Sequence, residues 1–344
     1  MSAVTRRIFI YEDTCGGGCE DPLPLQLRGE GMAMLCALCE DFAELENIEP
    51  VTTLDERLNP GDLPVRPMTV GSAAELAETF DSLAAECDLS LILAPELGGR
   101  LARLSRRVAD VGGSTHGGDI ALVETASDKL RLCRHLDAAD VPTIPCRRIE
   151  PGRLSGKPIV LKPRFGAGSL EISTLAPGSP ERIGREELIA TPLIEGMAAS
   201  VLCIAGEGTI LPLQPCGQRL SSDGAFSYLG GSVPLPGREL VERASELAGR
   251  AVGSFAQARG FVGVDLLLGE RAKDDRVVEI NPRPTTSYCA LRRRSSVNLA
   301  RLSLELLDGN RPGKPAWPAN AECFDSEGHA EKLNNPANDL ERVS

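Results

Sequence analysis

Val278-Glu279-Ile280-Asn281-Pro282-Arg283-Pro284-Thr285-Thr286, read with Gly263-Val264-Asp265 upstream, is the stretch on which the fold turns. Two short apolar runs, Phe261 to Leu268 and Val277 to Ile280, read as neighbouring strands. The polar, charged segment Gly269 to Arg276 between them suits a hairpin turn. Folding that hairpin brings Asp265, Glu279 and Asn281 to one end of a sheet. Glu279 and Asn281 are two apart, so on a strand they share a face. Two carboxylates and an amide oxygen form a hard, all-oxygen set suited to Mg²⁺ held against substrate phosphates. Pro282 stops the ladder, and Arg283 adds a planar donor fork for phosphate or carboxylate. An acidic hairpin ending in an Asn-Pro turn is the bland alternative, and what lies upstream weighs against it.

Upstream, Pro158 to Pro163 is an apolar strand that delivers Lys162 into the turn Gly166-Ala167-Gly168-Ser169, and Leu170 to Ile172 resumes the β pattern. Glycines let a backbone approach a triphosphate closely, with consecutive N–H groups aimed at its oxygens. Ser169 offers a hydroxyl and Lys162 a compact charge for an inner phosphate. Ser127 to Ala139 reads as a helix, with Ser127 as N-cap, Asp128 in the first turn and Lys129 behind it. Alone, Lys129 is a solvated helix lysine. Its order and spacing relative to Lys162 make it a second phosphate contact.

The chain has 344 residues, enough for two or three domains or one three-part enzyme. Its net charge of −12 argues against a general nucleic-acid binder. No apolar run approaches the length of a membrane span, and the N-terminus leads into a first strand rather than an export signal. Eleven cysteines scattered through apolar segments fit reduced thiols in a cytoplasm. Cys15, Cys19, Cys36 and Cys39 leave two readings, zinc or core packing, and the helical pattern of Gly31 to Leu45 favours packing. His116, His135 and His329 are too dispersed to suggest histidine catalysis.

Strands at Arg7 to Tyr11, Pro50 to Leu54 and Leu89 to Ala94 alternate with helices at Gly31 to Leu45 and Ser72 to Glu86. That alternation predicts an open parallel α/β sheet, whose ligands collect at the carboxyl ends of its strands. Glu12, Gly16 to Gly18, Asp55 and Glu96 occupy such positions. The run Cys15-Gly16-Gly17-Gly18-Cys19 is neither GxGxxG nor a P-loop, so it is a flexible turn or a backbone cradle for a small substrate. Further on, Leu188 to Gly196 is a strand and its connection, and Ala199 to Ile204 with Thr209 to Leu213 form a hairpin. Gln214, Gln218 and Arg219 follow as a polar loop or as the lining of an acceptor-carboxylate site. Arg238 to Arg259 and Asn298 to Leu307 are helices. The predicted organisation is an N-terminal α/β domain over 1–118, a subdomain with a glycine-rich lid over 119–191 and a metal-bearing subdomain over 192–311. A polar tail, read as disordered, occupies 312–344.

Ser-Asp-Lys at 127–129, Val-Leu-Lys-Pro-x-x-Gly-x-Gly-Ser at 160–169, Ile-Glu-Gly at 194–196, Gly-Val-Asp at 263–265 and Glu-Ile-Asn-Pro-Arg at 279–283 occur in the order found in ATP-grasp ligases. The resemblance covers about residues 120 to 310. It implies an α/β fold of the ATP-grasp type, in which two subdomains clamp the nucleotide. Lys129 and Lys162 would contact ATP phosphates, Gly166, Gly168 and Ser169 would cover them, and Pro192, Leu193 and Ile194 would meet the adenine. Mg²⁺, with Mn²⁺ as a substitute, would sit on Asp265, Glu279 and Asn281. The sequence departs from the pattern where many members carry an acidic ribose ligand, because Met197, Ala198 and Ala199 follow the hinge. Glu195 is then the candidate for that role.

Glu12 with its glycine run, Glu30-Gly31-Met32, Asp41-Phe42, Asp55 and Ala94-Pro95-Glu96 further resemble the archaeal tyramine–L-glutamate ligase group, which makes an early amide of methanofuran. Related bacterial enzymes would serve methylofuran. The resemblance implies ligation of a carboxylate to an amine through an acyl phosphate, with Lys162 and Arg283 as the catalytic cations. Candidate substrate contacts are Glu12, Gly17, Glu30, Glu96, Gln218 and Arg219. The partners implied are an amino acid and an amine, and dimers are common among such enzymes. The competing readings are a ligase for other amino acids or peptides, and a nucleotide-binding regulatory protein that has lost turnover.

Overall fold

The computed structural model describes residues 5–18, 25–61, 63–149, 152–153, 156–166, 171–177, 179–181 and 188–331. Strand β1 (Arg6–Glu12) is followed by α1 (Leu25–Ala43), β2 (Ile48–Val51), β3 (Thr53–Asp55), β4 (Met68–Val70), α2 (Ala73–Glu86), β5 (Leu89–Leu93) and α3 (Arg100–Asp110). β1 pairs in parallel with both β2 and β5, giving the order β2-β1-β5, and β3 and β4 form a separate parallel pair. Successive β1 side chains point to opposite faces. Ile8 and Ile10 pack with Met34, Leu35, Leu38 and Phe42 of α1, whereas Phe9 and Tyr11 pack with Phe80 and Leu83 of α2 and with Leu101 and Val108 of α3. Covered on both faces, this is the open parallel sheet that the alternation predicts.

The middle segment runs through α4 (Ile120–Ser127), α5 (Lys129–Ala138), β6 (Arg147–Arg148), β7 (Gly152–Arg153), β8 (Ile159–Pro163), β9 (Ser173–Leu175), β10 (Pro180–Glu181) and β11 (Leu188–Pro192). β6, β11, β8 and β9 lie in that order in one antiparallel sheet, and β7 pairs with β10. The reading of Ser127 as an N-cap is corrected here. Ser127 ends α4, its buried hydroxyl has no partner, and Asp128 caps α5 by accepting from the N–H groups of Leu130 and Arg131 at 3.0 and 3.2 Å. Asp128 is the stronger cap because its carboxylate also meets Arg164, with N–O distances of 2.7 and 2.6 Å.

The C-terminal part comprises β12 (Met197–Gly206), β13 (Thr209–Pro212), β14 (Cys216–Leu220), β15 (Tyr228–Val233), α6 (Arg238–Gly253), β16 (Gly260–Leu268), β17 (Arg276–Asn281), α7 (Ser287–Arg294), α8 (Leu299–Leu307), β18 (Glu322–Phe324) and β19 (Ala330–Glu331). Its sheet has the order β17-β16-β12-β14-β15-β18-β19, with β13 paired to β12. One face is covered by α6 and α4. The other packs, through α7 and α8, into the same core as α1 and β1. That shared core fixes the N-terminal sheet against the β16–β17 hairpin.

The polar segment beyond residue 311, read as a disordered tail, is corrected for its described part. β18 pairs with β15, β19 pairs with β18, and Trp317 packs against the shared core. Residues 332–344 lie outside the described residues. Cys15, Cys39, Cys87, Cys133, Cys146, Cys203, Cys216 and Cys289 are free thiols, and no group of three or more His, Cys, Asp or Glu side chains among the described residues could hold a metal ion. Cys15 and Cys39 pack in the shared core, and Cys19 lies outside the described residues. His116 is structural too: it stacks on Phe261 at 5.0 Å, and burial drives its pKa down to about 3. No helix among the described residues is long and apolar enough to cross a membrane.

Candidate active site

The β16–β17 hairpin sets Asp265 directly opposite Glu279 and Gly263 opposite Asn281. A β-bulge follows Asp265, where the strands lose register. The three oxygen-bearing side chains therefore converge at one sheet end, as the two-residue spacing requires. Gln218 on β14 donates Nε2–H to Asp265 Oδ1 at 2.9 Å, and Asn281 donates Nδ2–H to Oδ2 at 3.1 Å. Burial, then the charge of Glu279, raises the Asp265 carboxyl to about 7. Two facing carboxylates that disfavour each other's charge fit a divalent cation, with the amide oxygen of Asn281 as a third hard donor.

Two lysines converge on the same place. Lys129 lies 3.1 Å from Glu279 Oε2 and donates to the Gly166 carbonyl at 2.6 Å. Lys162, on β8, is 9 % exposed, and burial together with the charge of Lys129 lowers its pKa. Two ammonium groups crowded into a buried site favour an anion of high charge. Gly166 is placed against Pro163, while Gly168 and Ser169 lie outside the described residues.

Arg283 grips Glu96 with two N–O contacts of 3.0 and 2.9 Å, joining the end of the N-terminal sheet to the end of β17. Burial opposes the Arg283 charge, yet Glu96 together with Glu279 and Asp265 outweighs burial and holds the guanidinium above its usual pKa.

A single cavity of about 310 Å³ is lined by Lys129, Lys162, Gly166, Asp265, Glu279, Asn281 and Arg283. Pro192, Leu193 and Ile194 form its hinge side, with Ile144, Val160, Leu267 and Val278 as apolar walls. Glu30 and Gln218 line it as well.

Other residues singled out in the sequence fall elsewhere. Glu195 is exposed and does not line the cavity. Arg219 donates to the Leu229 carbonyl at 2.9 Å and meets Glu331 at 2.6 Å, tying β14 to the C-terminal strands. Glu12 accepts from Thr14 N–H, Thr14 Oγ1 and Cys15 N–H, so it shapes the turn after β1, and burial raises it to about 7. Gly17 packs against Val70, and Asp55 is taken up by Arg57. Glu96 reaches the cavity through Arg283. Phe226, Tyr228, Thr286 and Ser287 also line the cavity, and the sequence reading gave none of them a role. The aromatic pair inside Ala225 to Gly231 was the one available signal.

A family model described as an ATP-grasp domain matches residues 126–287, and one described as a pre ATP-grasp 3 domain matches 48–117. The chain has the ATP-grasp fold. It superposes on a putative ATP-grasp superfamily protein from Archaeoglobus fulgidus with a TM-score of 0.69 at 23 % identity, over 93 % of this chain and 92 % of that one. N5-carboxyaminoimidazole synthetase from Staphylococcus aureus, complexed with ADP, matches with a TM-score of 0.66 at 17 % identity, over 91 % of this chain and 80 % of that one. An L-amino acid ligase from Bacillus licheniformis matches with a TM-score of 0.66 at 15 % identity, over 92 % and 76 %. No protein of curated function matches the sequence.

Proposed function

We propose that this ATP-grasp chain is an ATP-dependent carboxylate–amine ligase that joins L-glutamate to tyramine or tyrosine in assembling a methylofuran-type one-carbon carrier. The observation that carries the ligase chemistry is the one cavity holding a lysine pair, a facing carboxylate pair, an apolar hinge and a buried arginine. The substrate pair is supported by the N-terminal motifs and by Phe226 and Tyr228 in the cavity lining. The amino-acid ligase among the proteins of similar fold is in keeping with it.

In this reading the hinge residues Pro192 to Ile194 and their apolar walls take the adenine. Lys129 and Lys162 hold the triphosphate and offset its charge. A cation bound by Asp265, Glu279 and Asn281 would neutralise charge on the β- and γ-phosphates. The substrate carboxylate attacks the γ-phosphorus: a new O–P bond forms, the bond to the β-bridging oxygen breaks, and ADP leaves. The amine nitrogen then attacks the acyl carbon, the C–N bond forms, phosphate departs, and the nitrogen releases its proton to solvent. Arg283, held in place by Glu96, faces the developing oxyanion. No histidine is needed for any of these transfers.

The test is ADP and phosphate release from Mg-ATP with L-glutamate and tyramine or tyrosine, together and singly. Release that requires both, with an amide of matching mass, supports the proposal. Nucleotide binding without release for any acid–amine pair would favour the regulatory reading.

A further inference from the structure

A second, small cavity of about 10 Å³ adjoins the lysine pair. Lys129, Lys162, Ile144, Cys133 and Cys146 are among its walls, and the first three also line the larger cavity. Cys133 sits on α5, one turn after Lys129. Its side chain tilts toward the N-terminus of the helix, over the turn that Lys129 begins. Cys146 reaches the same turn from the loop that follows α5, where its Sγ donates to the Lys129 carbonyl at 3.6 Å. Cys133 Sγ in turn donates to the Ile144 carbonyl of that loop at 3.6 Å. Helix and loop are thus laced together by two S–H groups that face each other.

Burial pushes the thiols of Cys39, Cys203 and Cys289 up to about 12, as suits cysteines that only fill space. Cys133 moves the other way. The Cys146 thiol hydrogen-bonds to it and, against burial, the Cys146 backbone N–H and the Lys162 charge also favour its thiolate. Both cysteines are half-buried rather than enclosed, and so open to a small oxidant. The thiolate is the attacking form of cysteine, and a neighbouring thiol turns its first oxidation product into a disulfide. The nucleotide and metal contacts assigned above use neither sulfur.

We propose that Cys133 and Cys146 form a reversible disulfide, and that closing it weakens nucleotide binding at the adjoining lysine pair. The inference rests on the nucleotide reading of the larger cavity and adds a redox control to it. The oxidant is hydrogen peroxide. The Cys133 thiolate attacks one peroxide oxygen: an S–O bond forms, the O–O bond breaks, and the departing hydroxide takes up a proton to leave as water. The Cys146 sulfur then attacks the sulfenic sulfur. The S–S bond forms, the S–O bond breaks, and the hydroxide leaves with the Cys146 proton as a second water. The two sulfurs give up two electrons in all, and the peroxide accepts them. A disulfide donates no hydrogen bond, so the Lys129 and Ile144 carbonyls both lose their S–H partners. It also ties the loop to α5 where Ile144 walls the nucleotide cavity and where Lys129 begins the helix.

Peptide mapping by mass, with calorimetry of ADP and Mg²⁺, tests it on the full chain before and after hydrogen peroxide. Peroxide should yield a linked Cys133–Cys146 peptide and weaken ADP binding about fivefold, the worth of one hydrogen bond. Dithiothreitol should restore the affinity. Cys133→Ser and Cys146→Ser should each bind ADP as the reduced wild type does, which reports an intact fold, and should keep that affinity in peroxide. An oxidised wild type without the linked peptide would overturn the proposal, and so would a linked protein with unchanged ADP affinity. Equal weakening in the serine variants would overturn it too, by placing the effect on other cysteines. A reduced wild type that fails to bind ADP would remove the nucleotide reading and the redox control with it, whatever the mapping shows.

Discussion

The two ends of the β16–β17 hairpin treat buried carboxylates in opposite ways. At the turn, Asp275 receives two N–H groups of Arg243 and the backbone N–H of Gly269 at 3.0 Å, and both charged side chains are nearly buried. Each carboxylate oxygen there has a donor, and the charge is cancelled on the spot. At the open end, Asp265 and Glu279 stand opposite each other, and burial with the facing charge lifts Asp265 to about 7. Lys129 bridges to Glu279, but Lys162 beside it adds a second cation held at a lowered pKa. Charge satisfied within the chain is architecture. Charge left crowded in pairs of each sign is a place prepared for a ligand carrying both.

The comparison can be broken or sharpened by substitution. Glu279→Ala should lower ligase turnover by about a thousandfold or more while shifting the thermal midpoint little, because it removes a transition-state contact, and the loss of the Lys129 ion pair offsets the relief of the like-charge conflict with Asp265. Phosphate release and calorimetric melting report the two separately. Arg243→Met should do the reverse, costing about 3 kcal/mol in denaturant unfolding by stranding Asp275, with ADP affinity unchanged.

The smallest effect is a pH dependence. Asp265 holds its proton more tightly folded than unfolded, so metal-free stability should fall as pH rises from about 4 to about 7 and then level off. Asp265→Asn should flatten that fall. The variant should exceed wild type by about 1.5 kcal/mol at pH 8 in EDTA, a modest figure because the carboxyl opens onto the cavity. Below pH 4 the two should coincide, and saturating Mg²⁺ should narrow the gap. Unfolding curves at pH 4, 6 and 8 would show whether the open end is electrostatically strained at all.

What could be read in the sequence were features carried by short spacings. The Asp265–Glu279–Asn281 set follows from one hairpin, and Lys162 follows from the strand that ends in Pro163. Longer-range features escaped. Asp128 displaces Ser127 as the cap because Arg164, thirty-six residues away, is there to neutralise it. β18 and β19 look like polar tail until β15 supplies an edge for them. β15 itself hides among glycines, which is why Phe226 and Tyr228 went unread. Arg219, next to the informative Gln218, points to the other face of β14 and serves Glu331 instead. Glu12 sits at a strand end suited to ligands, yet its partners are Thr14 and Cys15 of its own turn.

The most direct test of the central claim, that the open end of the hairpin is a metal–nucleotide site, is the Mg²⁺ dependence of ADP binding in wild type and Glu279→Ala. Calorimetry should show wild type binding ADP at least about tenfold tighter with Mg²⁺ than with EDTA, and Glu279→Ala binding it with nearly the same affinity in both. An undiminished Mg²⁺ effect in the variant would contradict the account.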